Sequence, residues 1–172
     1  FIPDSVGMAG GFSGPMSMAS NYAVGSYTAV ASVVVDGVLQ EVTNAIVEKS
    51  YFPGRMIQSF TWETLTLTLE IVFVNNRISL LRTRVRNTGG PKEVKIIYEG
   101  SFFTQYFQGQ VIDGRTVYLE FPATKCCFEI EAGEGCHAVV LDGKYRFETE
   151  VRKFGRGEER EDMFVYSAYF ND

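Results

Sequence analysis

From Thr64 to Phe73 the chain alternates between side-chain classes: Leu65, Leu67, Leu69, Ile71 and Phe73 fall on one parity, Thr64, Thr66, Thr68 and Glu70 on the other. A helix would scatter these leucines around its circumference. A strand, whose side chains point to opposite faces in turn, gathers them on one side. A second run, Ile78 to Asn87, follows the polar turn Asn75-Asn76-Arg77 and reads as the returning strand of an antiparallel hairpin. That turn length sets Ile71 beside Leu81, Leu69 beside Thr83 and Leu67 beside Val85. On the other face it sets Glu70 beside Arg82, Thr68 beside Arg84 and Thr66 beside Arg86. A slip of one residue would drive the arginines against the leucine face, so burial locks the register.

The same pattern extends in both directions. Tyr27 to Val35 and Val38 to Val42 flank Asp36-Gly37, a dipeptide suited to a tight type I′ turn. Ala45 to Tyr51 ends at Phe52-Pro53-Gly54, and Arg55 to Trp62 leads into the central hairpin. Glu93 to Glu99, Phe102 to Val111, Thr116 to Phe121, Lys125 to Glu131, His137 to Leu141, Tyr145 to Phe154 and Met163 to Phe170 follow, with turns at Asp113-Gly114 and Asp142-Gly143. Pairing Lys125–Glu131 with His137–Leu141 as a hairpin sets Cys127 opposite Val140. No amphipathic helix, linker or fixed-period repeat interrupts the series. Many short strands with frequent turn signals predict one all-β domain over residues 1–172, an antiparallel β-sandwich of two large sheets. Residues 1–20, with Gly7, Gly10, Gly11 and Gly14, read as a shaped loop. A net charge of -5 argues against nucleic-acid binding. No apolar run approaches the roughly 20 residues of a membrane span. The chain opens on Phe1 without an initiator Met, the mark of a removed leader or of a piece of something longer.

Candidate chemistry is sparse. Cys126, Cys127, Cys136 and His137 lack zinc-site spacing, and neighbours on a strand diverge, so buried thiols are the simpler reading and no metal is expected. The same divergence argues against Cys136 and His137 as a nucleophile and base. Glu148 and Glu150, like Glu129 and Glu131, sit about 6.6 Å apart by strand rise, but a glycosidase pair must flank its substrate from two sides. Glu148, Glu150 and Arg152 therefore read as a solvated face, and Glu158 to Asp162 as a solvated turn. Arg82, Arg84 and Arg86 form a row with ordinary cross-strand partners. No catalytic residue and no cofactor are expected. The glycine-dense segment Gly7 to Met16 is unusual, because a terminus rich in glycine and apolar side chains either packs on something or is a floppy, disordered end.

The order Gly10-Gly11-Phe12-Ser13-Gly14, Ala19-Ser20-Asn21-Tyr22, the Asp36-Gly37 turn, Tyr51-Phe52-Pro53-Gly54-Arg55-Met56-Ile57-Gln58 and Asn76-Arg77-Ile78-Ser79-Leu80-Leu81-Arg82-Thr83 resembles the N-terminal domain of bacterial glycoside hydrolase family 63 enzymes, of the α-glucosidase branch related to mannosyl-oligosaccharide glucosidase. The resemblance implies a β-supersandwich preceding a helical (α/α)6 toroid in the same polypeptide, with the catalytic carboxylates on that absent toroid. It implies an oligosaccharide or α-glucoside as substrate, a periplasmic or exported location, and a fragment inactive alone. On this reading Gly10, Gly11 and Phe12 contact the catalytic domain near the substrate pocket, with Phe12 as an apolar wall or sugar-stacking platform. The competing expectation is a free-standing carbohydrate-binding β-sandwich or a structural interaction domain. A sugar-binding module would use an aromatic platform drawn from Trp62, Tyr98, Tyr106 and Tyr118.

Overall fold

The computed structural model describes residues 2–3, 11–17 and 22–170. Two short pairs come first: β1 (Ile2–Pro3) with β2 (Phe12–Ser13), and β3 (Met16–Ser17) with β4 (Tyr22–Ala23). β5 (Val30–Val35) and β6 (Val38–Gln40) form the Asp-Gly hairpin, in which Asp36 and Gly37 take φ of 50° and 81°, as a type I′ turn requires. A 3-10 turn at Val42–Asn44 leads to β7 (Ile46–Phe52), β8 (Arg55–Trp62), β9 (Leu65–Phe73) and β10 (Ile78–Asn87). The remaining strands are β11 (Lys92–Ser101), β12 (Gln108–Ile112), β13 (Thr116–Phe121), β14 (Cys126–Ala132), β15 (Cys136–Leu141), β16 (Lys144–Thr149), β17 (Arg152–Phe154) and β18 (Glu159–Phe170).

These strands build the expected antiparallel sandwich. One sheet has eight strands in the order β12-β13-β14-β18-β10-β9-β8-β7. The other has six, β15-β16-β11-β5-β6, with β17 also pairing β11. The central hairpin takes the register read from its alternation: Ile71 opposes Leu81, Leu67 opposes Val85 and Glu70 opposes Arg82. Leu65, Leu67, Leu69 and Ile71 are buried and pack into the core shared with Val33, Ile96, Tyr98 and Phe147 of the facing sheet. Fully burying each such side chain contributes about 1.5–3 kcal/mol before entropy is counted.

Four expectations are corrected. The runs ending at Glu131 and beginning at His137 do not pair with each other. β14 lies between β13 and β18 in the larger sheet, where Cys127 opposes Glu120 and Tyr169, while β15 is the edge of the smaller sheet beside β16. Burial agrees with the split: Cys126, Phe128, Ile130 and Ala132 turn to the core and Cys127 is buried as well, as suits an interior strand, whereas β15 alternates with exposed positions as suits an edge. The segment from Phe102 does not begin a strand. A strand would place Phe102 and Phe107 on opposite faces, whereas both join the same core, because the Phe107 N–H donates to the Phe103 carbonyl at 2.9 Å in a turn. The run Tyr145 to Phe154 breaks into β16 and β17, with the Glu150 N–H donating to the Gly135 carbonyl at 3.1 Å. Glu159 to Asp162 form the start of β18 rather than a solvated turn, because Glu161 and Glu159 register against Arg84 and Arg86 while Asp162 turns inward.

Candidate functional site

The N-terminal segment is fastened to the sandwich by a side chain that sits where an apolar one is expected. In β8 the inward positions are Met56, Gln58, Phe60 and Trp62, and Gln58 is fully buried. Its amide does the work of a neighbouring strand: Gly11 N–H donates to Gln58 Oε1 at 3.2 Å, and Gln58 Nε2 donates to the Gly11 carbonyl at 2.7 Å. A β-carbon at Gly11 would stand 2.8 Å from the Thr28 carbonyl oxygen and from Val30 N, so the approach requires glycine. Next to it, Phe12 exchanges backbone hydrogen bonds with Thr28 at 2.9 and 2.7 Å and buries its ring completely. The Phe12 ring therefore faces this domain's own core, not a sugar, and its part is that of an anchor. Gly10 lies outside the described residues. The polar residue among the inward positions of Arg55–Trp62 was the sequence signal for this clasp.

Behind Phe12 the core is polar at one level. Thr28 Oγ1 lies 2.6 Å from the Tyr145 hydroxyl and 3.2 Å from that of Tyr166, which joins the N-terminal segment to both sheets. Burial pushes Tyr145 well above its ordinary value, and pushes Tyr166 up to about 12 against its hydrogen bonds to Thr28 and Tyr145. These phenols stay protonated and act as structural hydroxyls. Nearby, between the turn at Asn75–Ile78 and the end of β18, a cavity of about 280 Å³ opens, walled by Phe73, Phe128, Tyr145, Tyr166 and Phe170. Glu129, also on its wall, accepts a hydrogen bond from the Tyr169 hydroxyl at 2.6 Å.

A second buried polar cluster ties the two sheets together. Arg152 Nη1 of β17 donates to Asp162 Oδ1 of β18 at 2.5 Å, and the Tyr98 hydroxyl lies 2.7 Å from Thr83 Oγ1. Burial, then the Asp162 charge, holds the Cys136 thiol up at about 11, partly offset by Arg152. At that value the thiol is a poor nucleophile near neutral pH.

The carboxylates are committed to ion pairs. Glu148 is held below its ordinary value by the hydrogen bond from Lys95 at 2.5 Å, and it also pairs with Arg146. Glu150 lies outside β16 and is exposed, so the two glutamates do not form one strand pair. Glu70, on the outer face of the larger sheet, is almost fully buried beneath Arg55, Arg82 and Arg84. Burial raises its pKa, but the hydrogen bond and charge of Arg82, followed by Arg55, outweigh it and hold the carboxyl below its ordinary value. The three arginines thus cap a carboxylate. His137 opposes Glu148 on β16 and is exposed, while Cys136 beside it turns inward. Among the described residues no group of His, Cys, Asp and Glu is placed to hold a metal ion. The aromatic platform does not assemble either: Trp62 is buried with its indole N–H donating to the Glu41 carbonyl at 2.9 Å, and Tyr98 is buried between the sheets.

Two antiparallel sheets of eight and six strands, with no acid–base pair assembled among the described residues, define a sandwich that also occurs in larger carbohydrate-active enzymes. A protein described as a kojibiose phosphorylase, from the human microbiome, superposes with a TM-score of 0.63 at 7% identity, over 87% of this chain and 23% of that one. The heparan sulfate lyase HepC from Pedobacter heparinus gives 0.53 at 11% identity, over 95% and 28%. A smaller protein described as an aldose 1-epimerase, from Escherichia coli K12, gives 0.52 at 10% identity, over 79% and 71%. These likenesses establish the fold, and the chain spans about a quarter of the first and second of these proteins. No curated protein matches the chain. The family model for the N-terminal domain of the glucosidase YgjK matches residues 1–158, and the chain belongs to that family. The resemblance to the N-terminal domain of a glucosidase-type enzyme is thereby borne out. Among the described residues no helix is long and apolar enough to cross a membrane.

Proposed function

We propose that this chain is a non-catalytic domain that packs on a C-terminal (α/α)6 catalytic domain of the same polypeptide and helps to shape the pocket in which an α-glucoside or oligosaccharide is hydrolysed. The observation that carries this reading is the clasp at Gly11. Two hydrogen bonds from a buried glutamine and a fully buried Phe12 hold the glycine segment at a defined point. A segment held at a fixed position is what a contact with a partner surface needs in order to form reproducibly. Membership of the glucosidase family and the commitment of Glu70 and Glu148 to ion pairs support a supporting role rather than a catalytic one. In the full-length enzyme, Phe12→Ala is expected to lower kcat/KM for α-glucosides by at least about tenfold, since the loss of one ångström of positioning costs about that or more. Isothermal titration of the 172-residue chain with maltose is expected to give no binding heat. Full activity in Phe12→Ala with its thermal stability preserved, or sugar binding by the chain alone, would overturn the proposal.

A further inference from the structure

The outer face of the larger sheet carries a charge cluster opposite in sign to the chain as a whole, whose net charge is -5. Its anchor is Glu70 of β9, with a side chain only 4% exposed. Arg55 of β8 reaches one oxygen of this carboxylate, and Arg82 of β10 reaches the other, with Nε donating to Oε2 at 2.8 Å. Arg84 Nη2 stands 3.8 Å from the same Oε2. One arginine would neutralise Glu70. Three guanidiniums carry far more N–H donors than one carboxylate accepts, and these side chains remain 45%, 38% and 36% exposed.

The surplus charge is answered only loosely. Glu161 of β18, opposite Arg84 in register, places Oε2 4.0 Å from Arg82 Nε and 3.9 Å from Arg84 Nε. Both distances lie beyond hydrogen-bond reach. Three guanidiniums against two carboxylates leave an excess of one positive charge. The next pair along, Arg86 and Glu159, balance each other in register. Like charges this close repel unless an anion lies among them, and a fold that needed only to satisfy Glu70 would not gather three. All three arginines stand on β8 and β10, interior strands of the sheet, so their forks are carried by rigid elements.

We propose that this arginine cap is a binding site for a tetrahedral oxyanion, the phosphate or sulfate group of a small ligand. Arg82 and Arg84 hold the group, Arg55 adds charge from the far side of Glu70, and the ligand takes the place that Glu161 fills. The position of Glu161 marks the site. An acidic oxygen is drawn to the point between two guanidiniums, yet the side chain, tethered to β18, does not close to bonding distance. A free oxyanion has no tether and offers more oxygens than a carboxylate, so it can meet both forks at once.

The test follows the arginine Nε–H signals of the 172-residue chain by nitrogen-15 NMR. Inorganic phosphate is titrated near neutral pH, with sodium chloride adjusted to hold the ionic strength constant. Saturable shifts are expected at Arg82 and Arg84, with a dissociation constant of about a millimolar. Arg84→Gln, which leaves the Glu70 contacts of Arg55 and Arg82 in place, should weaken binding at least about tenfold. Glu161→Gln, which removes the competing carboxylate, should tighten it about three- to tenfold. Thermal unfolding checks that both variants remain folded. Methyl phosphate and methyl sulfate, titrated in the same way, distinguish the two sources of the group, and the tighter is the one the site is built for. Phosphate that gives no saturable shift overturns the proposal. So does binding unaffected by Arg84→Gln, or binding that Glu161→Gln leaves unchanged or weakens. Inorganic phosphate bound while both esters fail means an adventitious ion only, and acetate bound as tightly as phosphate means that the arginines suit a carboxylate of a neighbouring domain. Either result also overturns it.

Discussion

The side of the sandwich closed by β12 and β15 and the side left open at β7 both end in largely exposed strands, but they differ in what packs beside them. On the closed side the turn before β12 sends Phe107 inward to meet Phe121 and Phe128, with ring centroids 5.3 and 5.9 Å apart. On the open side Ile46, Val47, Tyr51 and Phe52 keep their area in water. The contrast teaches that alternation fixes which face a side chain takes within a sheet, whereas its burial depends on whether the facing sheet extends that far. With six strands facing eight, the larger sheet overhangs at β7.

The largest test of that contrast is a pair of truncations. Phe107→Ala is expected to lower stability by about 3–5 kcal/mol, because it opens a cavity in a closed aromatic cluster. Tyr51→Ala should change monomer stability by no more than about 0.5 kcal/mol, as expected for an exposed site. Urea denaturation of both at a concentration where the chain is monomeric checks this, and similar losses would mean that the open side is covered. Asp162→Ala should cost roughly 3 kcal/mol, since it leaves Arg152 buried without its partner between the sheets. Gln58→Ala should cost about 1–3 kcal/mol by stranding the Gly11 N–H and carbonyl, with faster exchange of the Gly11 amide as its specific sign. The smallest effect concerns the outer face. Glu70 has a lowered folded pKa, so its stabilisation is fully present above the unfolded carboxylate value near 4.5 and is lost as pH falls through the lower folded one. Thermal denaturation between pH 7 and pH 3 should therefore show a shallower acid decline for Glu70→Gln than for the wild type. Parallel declines would show that the arginine cap contributes nothing to folding.

What was legible in the sequence depended on how local its cause was. The register of β9 and β10 follows from period-two alternation across a short turn, and the three Asp-Gly turns follow from backbone conformations that few residues tolerate. The separation of β14 from β15 was not legible, since two apolar runs joined by a short glycine loop fit either a hairpin or a crossing between sheets. Pairing of β14 with β18, a strand far along the chain, decides it. The inward turn of Asp162 likewise depends on Arg152 of the other sheet, and the break after Thr149 on the Gly135 carbonyl ahead of β15. At the candidate site, Gly11 and Phe12 stood out by composition. Their clasp did not, because Gln58 lies 47 residues away and its meaning appears only when the inward set of β8 meets the segment.

The central claim is that the segment clasped at Gly11 serves contact with a catalytic domain. It is tested most directly by hydrogen exchange of peptides spanning residues 4–17, compared between the 172-residue chain and the full-length enzyme. The account predicts slower exchange for this stretch in the full-length enzyme, with the core peptides of β9 and β10 unchanged. Equal exchange of residues 4–17 in both proteins would contradict it.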